Sequence, residues 1–368
     1  MKKVLFLTNY PSPYRVAFFD MLGQDLDTTV LYADRIEKKT HRSADWFVSG
    51  QGHCHTVQLK KRLATFGSHD LCADVISWLK KPWDHIVLCG YSSPTVILAM
   101  LYLRLRRIPF WMEVDGGIIR QDTPFRYRVK RFLAGSASKY LSSGKATTDY
   151  LVHYGAKRER VWEYPFTSLY EKDLLEKPVT MEEKQALRRE LGLEEGKIIL
   201  SIGQFIHRKG FDVLLKAAAS LAPDAHIYIV GGEPTEEYLA MCREMNLTNV
   251  HFLGFMKKEK LLRYYQAADL FVLPTREDIW GLVVNEAMAF ALPVITTDRC
   301  VAGLELVKDG VTGYIVPVGD WEALEEKINT ALSGDYAAMG AAALEKVRPY
   351  TIENMAKVHA EIFGEQEN

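Results

Sequence analysis

The sequence predicts an α/β protein with two doubly wound domains, each built on a parallel sheet. The chain has 368 residues, more than the roughly 250–300 at which one hydrophobic core stops growing. The pattern of a buried strand, a loop and a helix occurs at the start of both halves of the chain. Its strand is KKVLFLT in the first half and Lys197–Ile202 in the second. Residues 269–297 have the order strand, loop, helix, strand, which predicts a parallel βαβ unit. We expect one domain of residues 1–170, with residues 350–368 returning to it as a helix, and a second of residues 171–349.

Composition and charge are those of an ordinary soluble enzyme and exclude several classes of protein. The formal net charge of −1 argues against nucleic acid as a partner, because affinity for a polyanion would need a local basic patch. The five cysteines are scattered and lack a C-x-x-C pair, which predicts reduced thiols in the cytosol. The apolar run after Lys2 and Lys3 ends at Thr8, too early for a signal peptide. No apolar run approaches the ~20 residues needed to span a bilayer, so we expect a cytoplasmic location.

The first predicted strand, KKVLFLT, leads into NYPSPYR, where a nucleotide-binding fold places its first ligand loop. This loop has no glycine-rich phosphate cradle. Arg15 is predicted to open a helix over residues 16–22, where it either reaches an anionic ligand or is solvated. Residues 38–52 predict a long polar connection.

A later strand, in the segment IPFWMEVDGG, ends in two carboxylates. Glu113 and Asp115 are two positions apart, so their side chains project to one face of the strand. Such a pair suits hydrogen bonding to ligand hydroxyls or general-base catalysis. An equally good interpretation is that Glu113 is a buried, paired structural acid and that Asp115 caps the next segment.

Residues 104–131 carry eight basic residues against three acidic ones in an otherwise neutral chain. Apolar and aromatic side chains are interspersed among them, namely Phe125, Tyr127, Val129, Phe132 and Leu133. This pattern is typical of helices that lie on anionic membrane surfaces. A solvated helix that packs its aromatic residues inward gives the same pattern, so a membrane surface is one of two interpretations.

The second domain is predicted to open with a strand followed by IGQFIHRKGFDVLLKA. Arg208 and Lys209 stand immediately before the glycine that turns the chain into a helix. Asp212, two residues into that helix, is interpreted as a capping or interior partner. Gly231 and Phe255 follow the next two predicted strands, at the edge where ligands bind in such sheets.

The central feature of this domain is the loop of residues 275–280 with the helix that follows it, predicted over residues 282–290. Asp278 lies in the loop, and Glu286 follows eight residues later in the second helical turn. Gly281 leaves the start of the helix open to close approach by a ligand. The unpaired amides and the dipole at that end favour an anion.

These residues carry a resemblance to a known family. The motif D-x-W-G-L-V-x-x-E-A-M-A, followed by L-P-V-I, resembles the donor-site signature of the family 4 retaining glycosyltransferases, and GLELVKDGVTGYIVPVGD resembles that family's closing pattern. The resemblance implies the GT-B fold, in which two Rossmann-like domains face a cleft. It also implies a nucleotide sugar, with UDP as the expected nucleotide, as donor and a glycan or lipid-linked acceptor held by the first domain.

The resemblance also implies roles for individual residues. Glu286 would hold the ribose diol of the nucleotide, Asp278 the hydroxyls of the transferred sugar, and Lys209 and Arg208 the diphosphate. Further donor contacts would come from Gly203, Gly231, Phe255, Gly281 and Leu282.

Three positions depart from the family pattern. The family usually has Glu where Asp278 stands, and a basic residue where Gln204 follows the first glycine of the second domain. Arg208 is expected to supply that missing charge. In the first domain Asp115 occupies the position of a histidine that lies near the reacting sugar in related enzymes.

The expected reaction is sugar transfer without a cofactor or a metal, and the resemblance implies that the anomeric configuration is retained. The only D-x-D tripeptide, at Asp25 and Asp27, is interpreted as surface. A nucleotide-sugar epimerase of the same fold and a catalytically silent sugar-nucleotide-binding protein are the alternatives. A dehydrogenase is disfavoured, because no G-x-G-x-x-G follows a predicted strand.

Overall fold

The computed structural model describes residues 1–34 and 52–365 and divides into two compact units. Unit 1 comprises Met1–Ser168 and Tyr350–Asn368, and unit 2 comprises Leu169–Pro349. The predicted polar connection of residues 38–52 lies, apart from Gly52, outside the described residues. Each unit is an α/β structure on a parallel sheet, so the predicted fold class is confirmed.

The main sheet of unit 1 consists of parallel strands in the order β3-β2-β1-β6-β7-β8-β9. Two further strands, β4 and β5, form an antiparallel hairpin that the sequence did not predict. The strands of unit 1 are β1 Lys3–Thr8, β2 Asp27–Tyr32, β3 His55–Gln58, β4 Arg62–Phe66, β5 His69–Cys72, β6 His85–Cys89, β7 Trp111–Val114, β8 Lys139–Ser142 and β9 Val161–Glu163.

Helices connect these strands and cover the sheet. The first five are α1 Pro13–Leu22, α2 Val75–Leu79, α3 Pro94–Arg106, α4 Pro124–Ala134 and α5 Lys145–His153. Helix α1 begins three residues before its predicted start, because Pro13 occupies the first helical turn, where its missing N–H costs no hydrogen bond. Arg15 therefore lies within the first turn and does not open the helix.

Unit 2 repeats this architecture with parallel strands in the order β12-β11-β10-β13-β14-β15. Its strands are β10 Lys197–Ile202, β11 Ala225–Val230, β12 Val250–Leu253, β13 Leu270–Leu273, β14 Val294–Thr297 and β15 Gly313–Val316. Its helices are α6 Met181–Leu191, α7 Phe211–Ala218, α8 Glu236–Glu244, α9 Lys258–Ala267, α10 Leu282–Ala289, α11 Val301–Leu306, α12 Trp321–Ser333 and α13 Tyr336–Val347.

The last helix, α14 (Ile352–Glu365), returns to unit 1 and packs on α1, as the sequence predicts. Its anchor is Phe363, which is fully buried and lies against the rings of Phe6, His85 and Trp111. Burying an aromatic side chain of this size contributes about 1.5–3 kcal/mol of transfer free energy, so the C-terminal segment is held firmly in the first core.

In both units the strand order reverses beside a central strand. Strand β1 has β2 on one side and β6 on the other, and β10 is likewise flanked by β11 and β13. At such a switch point the two loops leaving neighbouring strands diverge and open a crevice at the carboxyl edge of the sheet. In unit 1 the loops after β1 and β6 therefore border such a crevice, and in unit 2 the loops after β10 and β13 do so.

Within the described residues, no helix is both long enough and apolar enough to cross a membrane.

Candidate active site

The loops after β10 and β13 in unit 2 are joined by backbone contacts around Gly210. The carbonyl of Arg208 accepts hydrogen bonds from the Arg276 amide at 2.8 Å and from the Thr275 hydroxyl at 3.0 Å. Gly210 has a positive φ of 70°, and a Cβ at this position would lie 2.1 Å from the Pro274 carbonyl oxygen. Only glycine fits there, and its absence of a side chain allows the turn before α7 to lie against the second loop.

This contact brings together three of the residues that the sequence predicts for the site. Lys209 Nζ lies 2.5 Å from Asp278 Oδ2, and an Arg208 guanidinium nitrogen lies 3.5 Å from Asp278 Oδ1. The side chains of Lys209 and Asp278 are 12% and 14% exposed, whereas that of Arg208 is 46% exposed. One carboxylate is thus shared by two cations at a partly open position, and the group as a whole carries an excess positive charge.

Gly281 forms the junction between the loop and α10. Its φ of 103° is in the left-handed region, and an added Cβ would lie 2.8 Å from Cys300 Sγ. Helix α10 begins at the next residue, Leu282, so the amides of its first turn lie at the end of the helix that follows the loop containing Asp278. This helix start is suited to an anion through its dipole and its amides.

Glu286, on the second turn of α10, is held by Tyr265 of α9. The Tyr265 hydroxyl donates to Glu286 Oε2 at 2.9 Å. Tyr265 is fully buried, and burial together with the neighbouring carboxylate raises the pKa of its hydroxyl well above the usual range. Tyr265 therefore remains a hydrogen-bond donor at any physiological pH and fixes the rotamer of Glu286.

The loop between β13 and α10 is also fixed by two contacts that sequence reasoning missed. Arg276 forms a bidentate ion pair with Asp212, at 2.7 and 2.6 Å, which makes Asp212 an interior partner as predicted. Burial opposes ionisation of Asp212, but the Arg276 guanidinium outweighs it and lowers the pKa of the carboxyl. The Trp280 indole N–H donates to Asn285 Oδ1 at 2.8 Å. No spacing rule in the sequence pairs Arg276 with Asp212, because they are 64 positions apart and meet by tertiary packing. Trp280 and Asn285 are only five positions apart, but their contact crosses the start of α10, where the backbone turns at Gly281.

The remaining predicted donor residues lie at the same edge of the sheet in unit 2. Gly203 follows β10, and a Cβ there would come within 3.3 Å of the Lys209 side chain. A Cβ on Gly231, which follows β11, would lie 1.8 Å from the Gly203 carbonyl oxygen. Both glycines thus allow close packing beneath Lys209. Phe255, after β12, is 75% exposed and presents its ring to solvent.

In unit 1 the predicted residues Arg15 and Glu113 form a sealed ion pair. Arg15 donates to both oxygens of Glu113, at 2.7 and 3.2 Å, and the two side chains are 4% and 0% exposed. The Cys89 thiol donates to Glu113 at 3.3 Å, and His359 of α14 lies 3.8 Å away. Glu113 is thus buried and paired, as in one of the alternatives left open by the sequence, and Arg15 is buried and not solvated.

Asp115 lies at the outer side of this pair. Its carboxylate is 3.7 Å from Arg15 and accepts a hydrogen bond from the Tyr164 hydroxyl at 3.0 Å, while 30% of its side chain is exposed. Burial and the neighbouring Glu113 raise the pKa of Asp115 in spite of Arg15. For Glu113 burial acts in the same direction, but the bidentate Arg15 outweighs it and holds the pKa far below the usual range. The two acids thus have pKa values shifted in opposite directions, which is common at functional sites.

The predicted D-x-D tripeptide is exposed at both Asp25 and Asp27, in agreement with its interpretation as surface. Across residues 1–34 and 52–365, the side chains of His, Cys, Asp and Glu do not form a group of three or more that could hold a metal ion.

The geometry of unit 2 agrees with a comparison against protein families. The family model "Glycosyl transferases group 1" matches residues 183–346, a range that includes Lys209, Asp278 and Glu286. Residues 183–346 are thus similar in sequence to that family, and the resemblance predicted from the motifs is confirmed.

Two curated relatives illustrate the extent of the similarity. A D-inositol 3-phosphate glycosyltransferase of Mycobacterium sp. (strain KMS) is 34% identical over 181 residues, which cover 46% of this chain and 40% of the relative. An uncharacterized glycosyltransferase of Methanocaldococcus jannaschii is 29% identical over 205 residues, covering 50% of this chain and 49% of the relative. The chain thus spans less than half the length of these relatives.

Similarity to solved structures extends over both units. Sucrose-phosphate synthase from Thermosynechococcus elongatus has a TM-score of 0.72 at 20% identity, covering 99% of this chain and 98% of that structure. HepE from Anabaena, in complex with UDP, has a TM-score of 0.75 at 18% identity, covering 99% and 100%. At these identities the similarity establishes the fold alone, and that fold is GT-B, as predicted.

Proposed function

We propose that this protein is a glycosyltransferase that moves a sugar from a nucleoside diphosphate, with UDP as the nucleotide, to a glycan or lipid-linked acceptor with retention. The observation that carries the proposal is the shared contact of Lys209 and Arg208 with Asp278 beside the start of α10. It combines a carboxylate suited to sugar hydroxyls with cations suited to a diphosphate. Support for UDP comes from the structural relative HepE, which was crystallised with UDP and with UDP-glucose.

In the proposed reaction the bond from the anomeric carbon to the diphosphate oxygen breaks, and a bond to the acceptor oxygen forms on the same face. The acceptor proton passes to the leaving diphosphate. Negative charge grows on that diphosphate as the bond breaks, so preorganised cations and amides there lower the barrier. Lys209, Arg208 and the first amides of α10, at Gly281 and Leu282, supply them.

In this proposal, donor binding moves the ammonium group of Lys209 from Asp278 to the diphosphate. Before binding, Asp278 holds the ammonium group at 2.5 Å. When the diphosphate arrives, its greater charge attracts the ammonium group, and Asp278 becomes available to accept hydrogen bonds from sugar hydroxyls. Glu286, preorganised by Tyr265, accepts hydrogen bonds from the two ribose hydroxyls. The nucleotide base rests beside Phe255.

For the acceptor we propose unit 1, with Asp115 as the group that contacts the reacting hydroxyl. Asp115 accepts a hydrogen bond from that hydroxyl and orients it, while the proton passes to the leaving diphosphate. A raised pKa makes a carboxylate a stronger hydrogen-bond acceptor, and the direction of the Asp115 shift supports this role. Arg15 and Glu113 are then positioning residues, because Arg15 pairs with Glu113 and contacts Asp115 from the buried side.

All five cysteines are free thiols, which supports a cytoplasmic location for the protein.

The test is a panel of nucleoside-diphosphate sugars in a thermal-shift assay, followed by product analysis with glycan and lipid-linked acceptors. We expect one UDP-sugar to raise the Tm most and to be consumed only when an acceptor is present, with the anomeric configuration kept. Conversion of the donor sugar to an epimer without an acceptor would identify an epimerase. Binding without any turnover would identify a silent binding protein.

Metal independence is part of the proposal, since the cations and amides of unit 2 take the place of a divalent ion at the diphosphate. We expect turnover to be unchanged by EDTA. Loss of turnover with EDTA and recovery with Mn²⁺ would instead assign the diphosphate to a metal.

A further inference from the structure

Helices α3 and α4 of unit 1 expose apolar side chains that lie next to one another. On α4 the exposed residues Phe125, Val129 and Phe132 follow helical spacing, so they share one face. On α3 the exposed residues Leu101 and Leu105 are one turn apart. Leu105 is 82% exposed and Phe125 is 77% exposed. We call these five side chains and the arginines around them the α3–α4 surface.

Arg104 joins the two helices into one surface. Its guanidinium donates to the Phe132 carbonyl at 3.2 Å and lies over the Phe132 ring, 4.3 Å from the ring centroid. The exposed leucines of α3 and the exposed aromatic residues of α4 are therefore parts of one patch and not two separate features.

The same helices carry positive charge. Six exposed arginines lie on α3 and α4 or directly after α3, namely Arg104, Arg106, Arg107, Arg126, Arg128 and Arg131. The acidic residues within 101–134 offset them only in part. Glu113 is buried and Asp115 is turned toward Arg15 and Tyr164. Asp122 is shared between Lys130, at 2.9 Å, and Arg126, at 3.6 Å. The protein as a whole has a net charge of −1, so this positive field is local to the surface.

The structure also separates the outer face of α4 from its inner face. Tyr127 and Leu133 pack against the core of unit 1. Lys130 lies 2.9 Å from Asp122 and donates to the Tyr154 hydroxyl at 3.1 Å, so its charge is already compensated. Both interpretations of the sequence pattern therefore hold in part, because the inner residues fill the core while the outer residues stay exposed.

We propose that the α3–α4 surface docks on an anionic lipid bilayer, with the apolar side chains entering the headgroup region and the arginines contacting lipid phosphates. Large exposed apolar residues on the same helices as exposed arginines match the two layers of a bilayer surface, acyl chains below and phosphates above. An acidic soluble protein would satisfy the arginines but would leave Leu105 and Phe125 without an apolar partner unless it carried a matching groove. The lipid surface needs no such match.

The experiment is sedimentation of the whole protein with vesicles of phosphatidylcholine, with and without phosphatidylglycerol, over a range of salt concentrations. We expect binding only with phosphatidylglycerol, weakening as salt rises. The triple variant Arg126→Gln, Arg128→Gln, Arg131→Gln should lower the affinity by about ten- to a hundredfold, given the contribution of each basic residue near such a surface. The double variant Leu105→Ser, Phe125→Ser should lower affinity at every salt concentration.

Two matched controls lie in unit 2. Lys216→Gln, Lys260→Gln, Lys346→Gln removes the same charge from exposed positions elsewhere. Met181→Ser, Val318→Ser removes two other exposed apolar side chains. Both should bind like the wild type, and circular dichroism should show that all four variants are folded.

Three results would overturn the proposal. The first is wild-type protein remaining in the supernatant with phosphatidylglycerol vesicles at low salt. The second is equal loss of binding in the arginine variant and in the lysine control, which would indicate nonspecific charge. The third is tight binding to soluble polyglutamate without vesicle binding, which would assign the surface to an acidic protein. None of these measurements involves sugar transfer, so they are independent of the proposed reaction.

Discussion

Two ion pairs, one in each unit, have the same chemistry but different surroundings. Arg15 and Glu113 in unit 1 are sealed, at 4% and 0% exposure, whereas Lys209 and Asp278 in unit 2 are 12% and 14% exposed beside the half-exposed Arg208. A buried charge that loses its partner has no water to replace it. In a partly exposed pair, each charged group can bind a ligand or water in place of its partner. We therefore expect the first pair to act mainly on stability and the second mainly on activity.

The largest effect is expected from breaking the sealed pair. Glu113→Gln leaves the buried Arg15 charge with only the more distant Asp115 carboxylate, 3.7 Å away, as an acidic partner. The free energy of unfolding should therefore fall by about 3 kcal/mol, at the low end of the cost of breaking a buried ion pair. Urea denaturation followed by circular dichroism measures this. A loss as small as that of an exposed pair would show that water reaches Arg15 and would remove the contrast between the two units.

The same variant should change the pH dependence of stability. The pKa of Glu113 is lowered in the folded protein, so its contribution is present above the ordinary pKa of Glu, about 4.3, and is lost as the pH falls toward the lower folded value. Wild-type protein should lose stability across this acidic range, and Glu113→Gln should lose less.

The next largest effect concerns turnover. Lys209→Ala removes a preorganised cation from the diphosphate, so kcat should fall by about a hundredfold or more, equivalent to about 3 kcal/mol. Because the pair with Asp278 is partly open, the free energy of unfolding should change by less than about 1 kcal/mol. Kinetics on the preferred UDP-sugar and urea denaturation test the two parts. A large loss of stability with normal kcat would reverse the roles given to the two ion pairs.

A moderate effect is expected at the other end of the donor. Glu286→Gln exchanges a carboxylate for a weaker acceptor, so the affinity for UDP should fall about tenfold. Tyr265→Phe keeps the carboxylate but removes the hydrogen bond that orients it, and it should give a smaller loss. Calorimetry with UDP measures both, and unchanged affinity in Glu286→Gln would remove this residue from the ribose.

The smallest effect on stability is expected at Asp115. Its pKa is raised in the folded protein, so ionisation at neutral pH opposes folding, and this cost disappears as the pH falls below the ordinary pKa of Asp. Asp115→Asn should therefore raise stability at neutral pH by less than about 1 kcal/mol, with no gain in acid, while acceptor-dependent turnover falls. Unchanged turnover would make Asp115 purely structural.

The sequence predicted the fold of both units because local pattern determines it. Alternating strand and helix signals give the doubly wound topology. Glycine at positions 210 and 281 marks backbone that other residues cannot adopt, with φ values of 70° and 103°. These glycines lie beside Lys209 and Asp278 in the sequence, and the turns they allow bring those two side chains into contact.

The sequence could not predict contacts that depend on packing between distant segments. The partner of Glu113 is Arg15, 98 positions away, and the partner of Glu286 is Tyr265 on a different helix. The β4–β5 hairpin was missed, because Leu63 and Phe66 are exposed and its strands lack a clear apolar alternation. Whether the residues flanking Phe125 face the core or solvent also depends on how α4 is rotated about its axis.

The most direct test of the central claim is calorimetry on Asp278→Asn with UDP and with the preferred UDP-sugar. Asp278 is proposed to contact the sugar and to hold Lys209 until the diphosphate arrives. Removing its charge should leave the affinity for UDP unchanged or slightly higher, while the affinity for the UDP-sugar falls about tenfold. Equal loss of affinity for both ligands, or no loss for either, would contradict the assignment of this loop to the transferred sugar.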